Sequence, residues 1–190
     1  DANPQVVLNK LYSYTELQTT FGANLIAIVG GKPQILTLKE MLQNSIDFQC
    51  DIIRRRTAFD MRKAQERAHI LEGLKIALDF IDEVIAIIRN SKTIPESKEK
   101  LCERFGLDDI QATAIVQMQL GKLAGMEKQK IEEELAEKLA FIKECEEILA
   151  SQARVLDIVK TEALNLRDKY ADDRRTEISA VSGEVDIEDL

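Results

Sequence analysis

The chain has 190 residues, 45% of them hydrophobic, 32% charged and 5% aromatic, with no tryptophan and a formal net charge of −8. A mixture this rich in Glu, Lys, Arg, Leu and Ala is that of long helices and coiled coils; it excludes intrinsic disorder and large all-β folds. The negative charge also excludes a chain that coats nucleic acid by bulk electrostatics, so any phosphate contact must be regional.

Asn3 followed by Pro4 pairs an N-cap with a first helical residue and predicts a short helix over PQVVLNKLYSY. NLIAIV and PQILTL then flank Gly30-Gly31-Lys32, which predicts a β-hairpin whose glycines supply the positive φ of the turn. Two strands alone are marginal, so the hairpin is expected to pack on something outside the chain. The chain opens on DANP without a methionine and reads as a piece of a longer protein.

From Leu38 to Leu78 there is no proline, and Gly73 is the only glycine. Leu42, Ile46, Ile53, Thr57, Ala64, Ala68, Leu71 and Leu78 recur at steps summing threes and fours, which predicts one buried stripe on a rod of roughly 60 Å. A single-stripe rod of that length needs a partner helix. The return rod supplies it, with Ile131, Leu135, Leu139, Ile142 and Leu149 on one face and Ser151 as an N-cap before the pattern resumes through Tyr170. Between the rods, short helices are predicted near Asp82–Arg89, Pro95–Phe105 and Asp108–Met118, with Thr93 or Ile94 before Pro95 and Gly106 after Phe105 as start and stop signals. The expected fold is mainly α: a long antiparallel two-helix coiled coil with a small helical head, and a short α/β segment with a hairpin at the N-terminus. Its expected parts are residues 1–37, an outgoing helix 38–78, a head 79–126, returning helices 127–171 and an acidic linker 172–190.

Cys50, Cys102 and Cys145 are far apart with no Cys-x-x-Cys spacing, and neither a signal peptide nor an apolar run near 18 residues occurs. This reads as a soluble, cytoplasmic chain in a reducing compartment, with no membrane role. His69 is the only histidine and is expected to be hydrogen-bonded on its helix, not a zinc ligand. Glu132-Glu133-Glu134 and Asp172-Asp173 read as solvated acidic faces, so no metal and no cofactor is expected on this chain. Gly73 costs about 1 kcal/mol inside a helix, and marks either a close approach of the returning helix or flexibility near the head.

The ordered stretches LQTTFGANLIAIVGGKP, RRTAFDMRKAQERAHILEGLKIALDFIDEVIAIIR, LCERFGLDDIQATAIVQMQLGKLAGMEKQKIEEE and DRRTEI resemble the A-subunit family of DNA gyrase and topoisomerase IV, over about residues 3–178. RAHILEGL and TTFG favour the gyrase branch over topoisomerase IV. The resemblance implies the end of the tower domain, then the coiled coil and the head that closes the exit gate for the transported duplex. It implies a homodimer through the head, partnership with a gyrase B subunit, passing double-stranded DNA, and Mg²⁺ and ATP used through other domains. A generic helical-hairpin scaffold is the competing expectation.

Met118, Leu120, Lys122, Leu123 and Met126 are the candidates for the dimer contact; capping of the head's own core is the alternative for Leu120, Leu123 and Met126. MQLGKLAG stands where the family commonly carries MRLQRLTG, so Gln119, Gly121, Lys122 and Ala124 depart from the pattern beside that contact. Arg54, Arg55 and Arg62, in a cluster with Arg56, Lys63 and Arg67, form a candidate DNA-facing patch, with a solvated face paired to Asp60 and Glu66 as the alternative. The family's nucleophilic tyrosine follows an arginine. Tyr12, Tyr14 and Tyr170 do not, and read as packing residues, so the chain alone is expected to be inactive.

Overall fold

The computed structural model describes residues 3–118 and 125–178, the side chains of 125–127 excepted. It is mainly helical: α1 (Pro4–Tyr14), a hairpin of β1 (Ile26–Val29) and β2 (Lys32–Ile35), then α2 (Leu38–Asp79), α3 (Ile81–Asn90), α4 (Ile94–Phe105), α5 (Asp109–Val116), α6 (Gly125–Ala150) and α7 (Gln152–Tyr170). The chain divides into two compact units, Asp1–Ile46 with Ala163–Leu190, and Asp47–Glu162.

In the first unit, the Asn3 side chain accepts the Gln5 N–H at 3.0 Å and starts α1, with Pro4 in its first turn. The hairpin pairs Val29 with Lys32 and Ile26 with Ile35, and Gly30 and Gly31 turn the chain with φ of 58° and 78°. Two successive positive φ values are what a two-residue hairpin loop demands. A capping box opens α2: Thr37 N–H donates to Glu40 Oε2 at 2.8 Å, and Glu40 N–H donates to Thr37 Oγ1 at 3.3 Å. Those bonds from Thr37 hold the Glu40 carboxyl below its usual range. Leu42 and Ile46, expected on the buried stripe, are 58% and 38% exposed. Periodicity names a face, but burial takes a facing surface, and the residues of this unit do not supply one.

In the second unit, ion pairs order the two rods. Asp79 meets Lys128 at 2.6 Å, Arg67 meets Glu134 at 2.7 Å and Arg56 meets Glu162 at 2.7 Å, so position rises along the return as it falls along α2, and the rods run antiparallel. Exposed pairs of this kind each contribute only about 0–1 kcal/mol, and the apolar seam does most of the holding. On α2 that seam is Cys50, Ile53, Thr57, Ala64, Ala68 and Leu71, all buried. On the return, Ile131, Leu135, Cys145 and Val155 are buried, with Ile142 and Leu149 half-buried. Leu139 is 47% exposed, against expectation. Steps of seven from Leu135 lead to Ile142 and Leu149, and on that drift Leu139 falls to the side of the seam. The return helix breaks at Ser151, whose Oγ accepts the Arg154 N–H at 3.4 Å. Beside the break, Cys50, Ile53 and Val155 form a small cluster of their own.

The larger cluster lies among α3, α4 and α5 and the rod segments facing them: Leu71, Leu74, Ala77, Val84, Leu101, Leu107, Ala112 and Ile115 pack with Ile131 and Leu135. Local chemistry sets the helix ends there. Thr93 caps α4 by accepting the Glu96 N–H at 3.4 Å, Pro95 sits in its first turn, and Gly106 ends it with φ 67°. Asp108 caps α5 by accepting the Gln111 N–H at 2.8 Å, while Gln111 Oε1 accepts the Asp108 N–H at 3.3 Å. α2 turns into α3 at Phe80, whose ring lies 5.7 Å from that of Phe105.

Candidate functional site

An apolar groove of about 260 Å³ runs between α3 and the end of α5. Ile81, Ile85 and Ile88 form one wall and Ile115, Val116 and Met118 the other, with Arg89 also lining it. The walls follow from helical spacing: residues 81, 85 and 88 share one face of α3, while Val84 points into the core at 1% exposure. Met118 is the one predicted contact residue that can be placed here, half-buried in the groove. Leu120, Lys122 and Leu123 lie outside the described residues; Met126 falls in the first turn of α6, its side chain outside them as well. Sequence reading missed the α3 wall, although IDEVIAIIR carries isoleucines at three- and four-residue steps.

Behind the groove, α5 meets α2 through four residues. Gln111 is buried and packs on Gly73 so closely that a Cβ on Gly73 would sit 2.7 Å from Gln111 Cβ. Gly73 therefore marks a close approach, by α5 and not by the returning helix. The amide of Gln111 donates from Nε2 to the His69 carbonyl at 2.8 Å, while its Oε1 accepts from Asp108. With the amide oriented on both sides, its Nε2 faces His69 Nδ1 at 3.4 Å, so Nδ1 accepts and the proton sits on Nε2. That Nε2 lies 2.6 Å from Asp108 Oδ2. His69 is thus the hydrogen-bonded helix histidine that was expected. Bonds from the Gln111 N–H first, and from His69 second, hold the Asp108 carboxyl below its usual range.

The three successive arginines diverge around α2. Arg54 Nη2 bonds Gln152 Oε1 on α7, Arg55 pairs with Asp51 at 3.1 Å and Arg56 with Glu162 at 2.7 Å. Arg62 lies over the exposed Phe59 ring at 5.5 Å, and Lys63 pairs with Glu66 at 2.8 Å. Of the predicted patch, Arg55 and Arg62 share a face with Phe59 between them, whereas Arg54 turns toward the return helix.

Tyr12, Tyr14 and Tyr170 are 37%, 78% and 67% exposed, which corrects their reading as packing residues. Tyr14 and Tyr170 each end a helix, where little surrounds them. Among the described residues no group of three His, Cys, Asp or Glu side chains could hold a metal ion, and Glu132 and Glu134 instead face Lys75 and Arg67. All three cysteines are free, and burial raises the thiol pKa of Cys102 and Cys145. No helix among the described residues is long and apolar enough to cross a membrane.

Residues 1–164 match the family model for the DNA gyrase/topoisomerase IV A subunit, and the chain belongs to that family. Within it, the chain is 50% identical over 190 residues to the DNA gyrase A subunit of Clostridium acetobutylicum and 52% identical over 190 residues to that of Halalkalibacterium halodurans. It is also 50% identical over 189 residues to the DNA gyrase A subunit of Staphylococcus aureus. Each match covers 100% of this chain but only 23%, 23% and 21% of the relative, so the chain spans less than a quarter of the length of these curated relatives.

Proposed function

We propose that this chain is the distal part of the DNA-breakage-and-reunion region of a cytoplasmic DNA gyrase A subunit. In this reading residues 1–37 end the tower domain, 38–78 and 127–171 form the coiled-coil stalk, 79–126 form the exit gate and 172–190 lead toward a further domain. Half-identity to gyrase A subunits along the whole chain carries the proposal. The stalk is a spacer and hinge, and the head closes on its twin from a second copy of the chain through Met118, Leu120, Lys122, Leu123 and Met126, with the α3 groove beside them. Such a contact is symmetric, each groove meeting the same surface of its partner. An apolar groove suits a gate that must reseal, because closure removes apolar area from water at about 25 cal/mol per Å² and needs no exchange of specific ligands.

The duplex passes the gate while gyrase B subunits hydrolyse ATP and carboxylates elsewhere in the gyrase A subunit hold Mg²⁺; no step of cleavage falls on this chain. Arg55 and Arg62 touch the passing duplex weakly through phosphate. The test is a chimera: the Staphylococcus aureus gyrase A subunit with its matching 189 residues replaced by this chain, assembled with its B subunit. Negative supercoiling that survives the exchange, and is lost with Leu123→Glu while DNA cleavage persists, supports the reading. A chimera that supercoils equally well with Leu123→Glu contradicts the gate.

A further inference from the structure

We propose that His69, Asp108 and Gln111 form a polar latch, seated on Gly73, that fixes the rotation of α5 on α2 and thereby sets the head's self-association surface; this control rests on the head being that surface. The eight residues of α5 are too few to hold a helix by themselves, so contacts decide where it lies. Ala112 and Ile115, at 0% and 2% exposure, keep it on the core, but apolar packing has no direction. Direction comes from the hydrogen bonds. Gln111 Nε2 reaches the His69 carbonyl at 2.8 Å, an oxygen whose second lone pair the regular helix already uses for the Gly73 N–H. Only a residue without Cβ at position 73 leaves that carbonyl open, since a Cβ there would meet Gln111 Cβ at 2.7 Å. His69 closes the ring by joining Asp108, the cap of the same helix, at 2.6 Å.

The latch occupies the N-terminal end of α5, and Ile115 and Val116 at the other end line the apolar groove that Met118 continues. A rotation of α5 allowed by loss of the latch therefore moves one whole wall of the groove and the point from which residues 119–124 depart. The latch residues position the surface; they do not belong to it.

Hydrogen exchange and sedimentation equilibrium on the full chain test this, with His69→Ala, His69→Gln and Ile85→Glu. His69→Ala removes the bond to Asp108 from a half-exposed site, while His69→Gln keeps an N–H donor near the position of Nε2. With His69→Ala, amides of α5 are expected to exchange about tenfold faster while those of α4 and α6 keep their rates, and self-association weakens about tenfold. His69→Gln should restore most of both. Unchanged α5 exchange, or equal damage from both substitutions, would overturn the latch. Faster α5 exchange with unchanged self-association would overturn its control of the surface. A monomeric wild type, or a dimer indifferent to Ile85→Glu, would instead refute the self-association reading and with it that control, and α5 exchange would then judge the latch by itself.

Discussion

The two units of this chain use their apolar residues in opposite ways. Residues 47–162 enclose theirs: Leu71, Leu101, Val84 and Ile115 are essentially inaccessible, and one open apolar groove lies along α3 and α5. The N-terminal unit leaves Phe21 90%, Ile28 78% and Ile35 74% exposed on and beside a two-stranded hairpin. A hairpin of four-residue strands cannot cover its own faces. A region that buries its apolar residues has its stability written in its own packing, whereas one that displays them has a surface waiting to be covered.

That contrast can be broken or sharpened by substitution. Leu101→Ala, at 0% exposure in the larger cluster, should lower unfolding free energy by about 3–4 kcal/mol, read from urea denaturation at unchanged m-value. Gly73→Val forces Gln111 off its seat and should cost about 2 kcal/mol, an overpacking effect that a simple gain in helix propensity would not produce. In the small cluster at the Ser151 break, Ile53→Val should cost about 1 kcal/mol.

Acid should act next, at Asp108. Its folded-state pKa lies below the ordinary carboxylate value, so its stabilisation is present above that value, about 3.9, and is lost as pH falls through the lower folded-state value. Replacing Asp108 by Asn should therefore flatten the fall of stability below about pH 4, checked by urea midpoints across pH. The smallest effect belongs to the hairpin: Ile28→Thr should change the unfolding free energy by less than about 0.5 kcal/mol, and lower the binding of a hydrophobic dye.

Much of this was legible in the residues. Pro95 and Gly106 bounded α4, the glycine pair placed the hairpin turn, and the seam from Ile53 to Leu71 followed from spacing, because each is a local signal with a local cause. Ser151 likewise marked the break. What escaped depends on what faces a residue. Leu42 and Leu139 fit a stripe yet lie exposed, since periodicity gives a face but not its partner. Cys145 was passed over although it sits on the seam at 2% exposure. The Thr37–Glu40 box was visible as TLKE and went unread. Gln111 could not be found at all, because its worth lies in Gly73 and His69, about 40 residues earlier.

The central claim is that the head, and not the stalk, is where this chain meets its twin. Light scattering across a concentration series, on the wild type, Leu123→Glu and Arg54→Ala/Arg55→Ala, tests it most directly. The account predicts a dimer that Leu123→Glu splits and the arginine substitutions leave whole. A dimer that survives Leu123→Glu and falls apart without Arg54 and Arg55 would contradict it and move the contact onto the stalk.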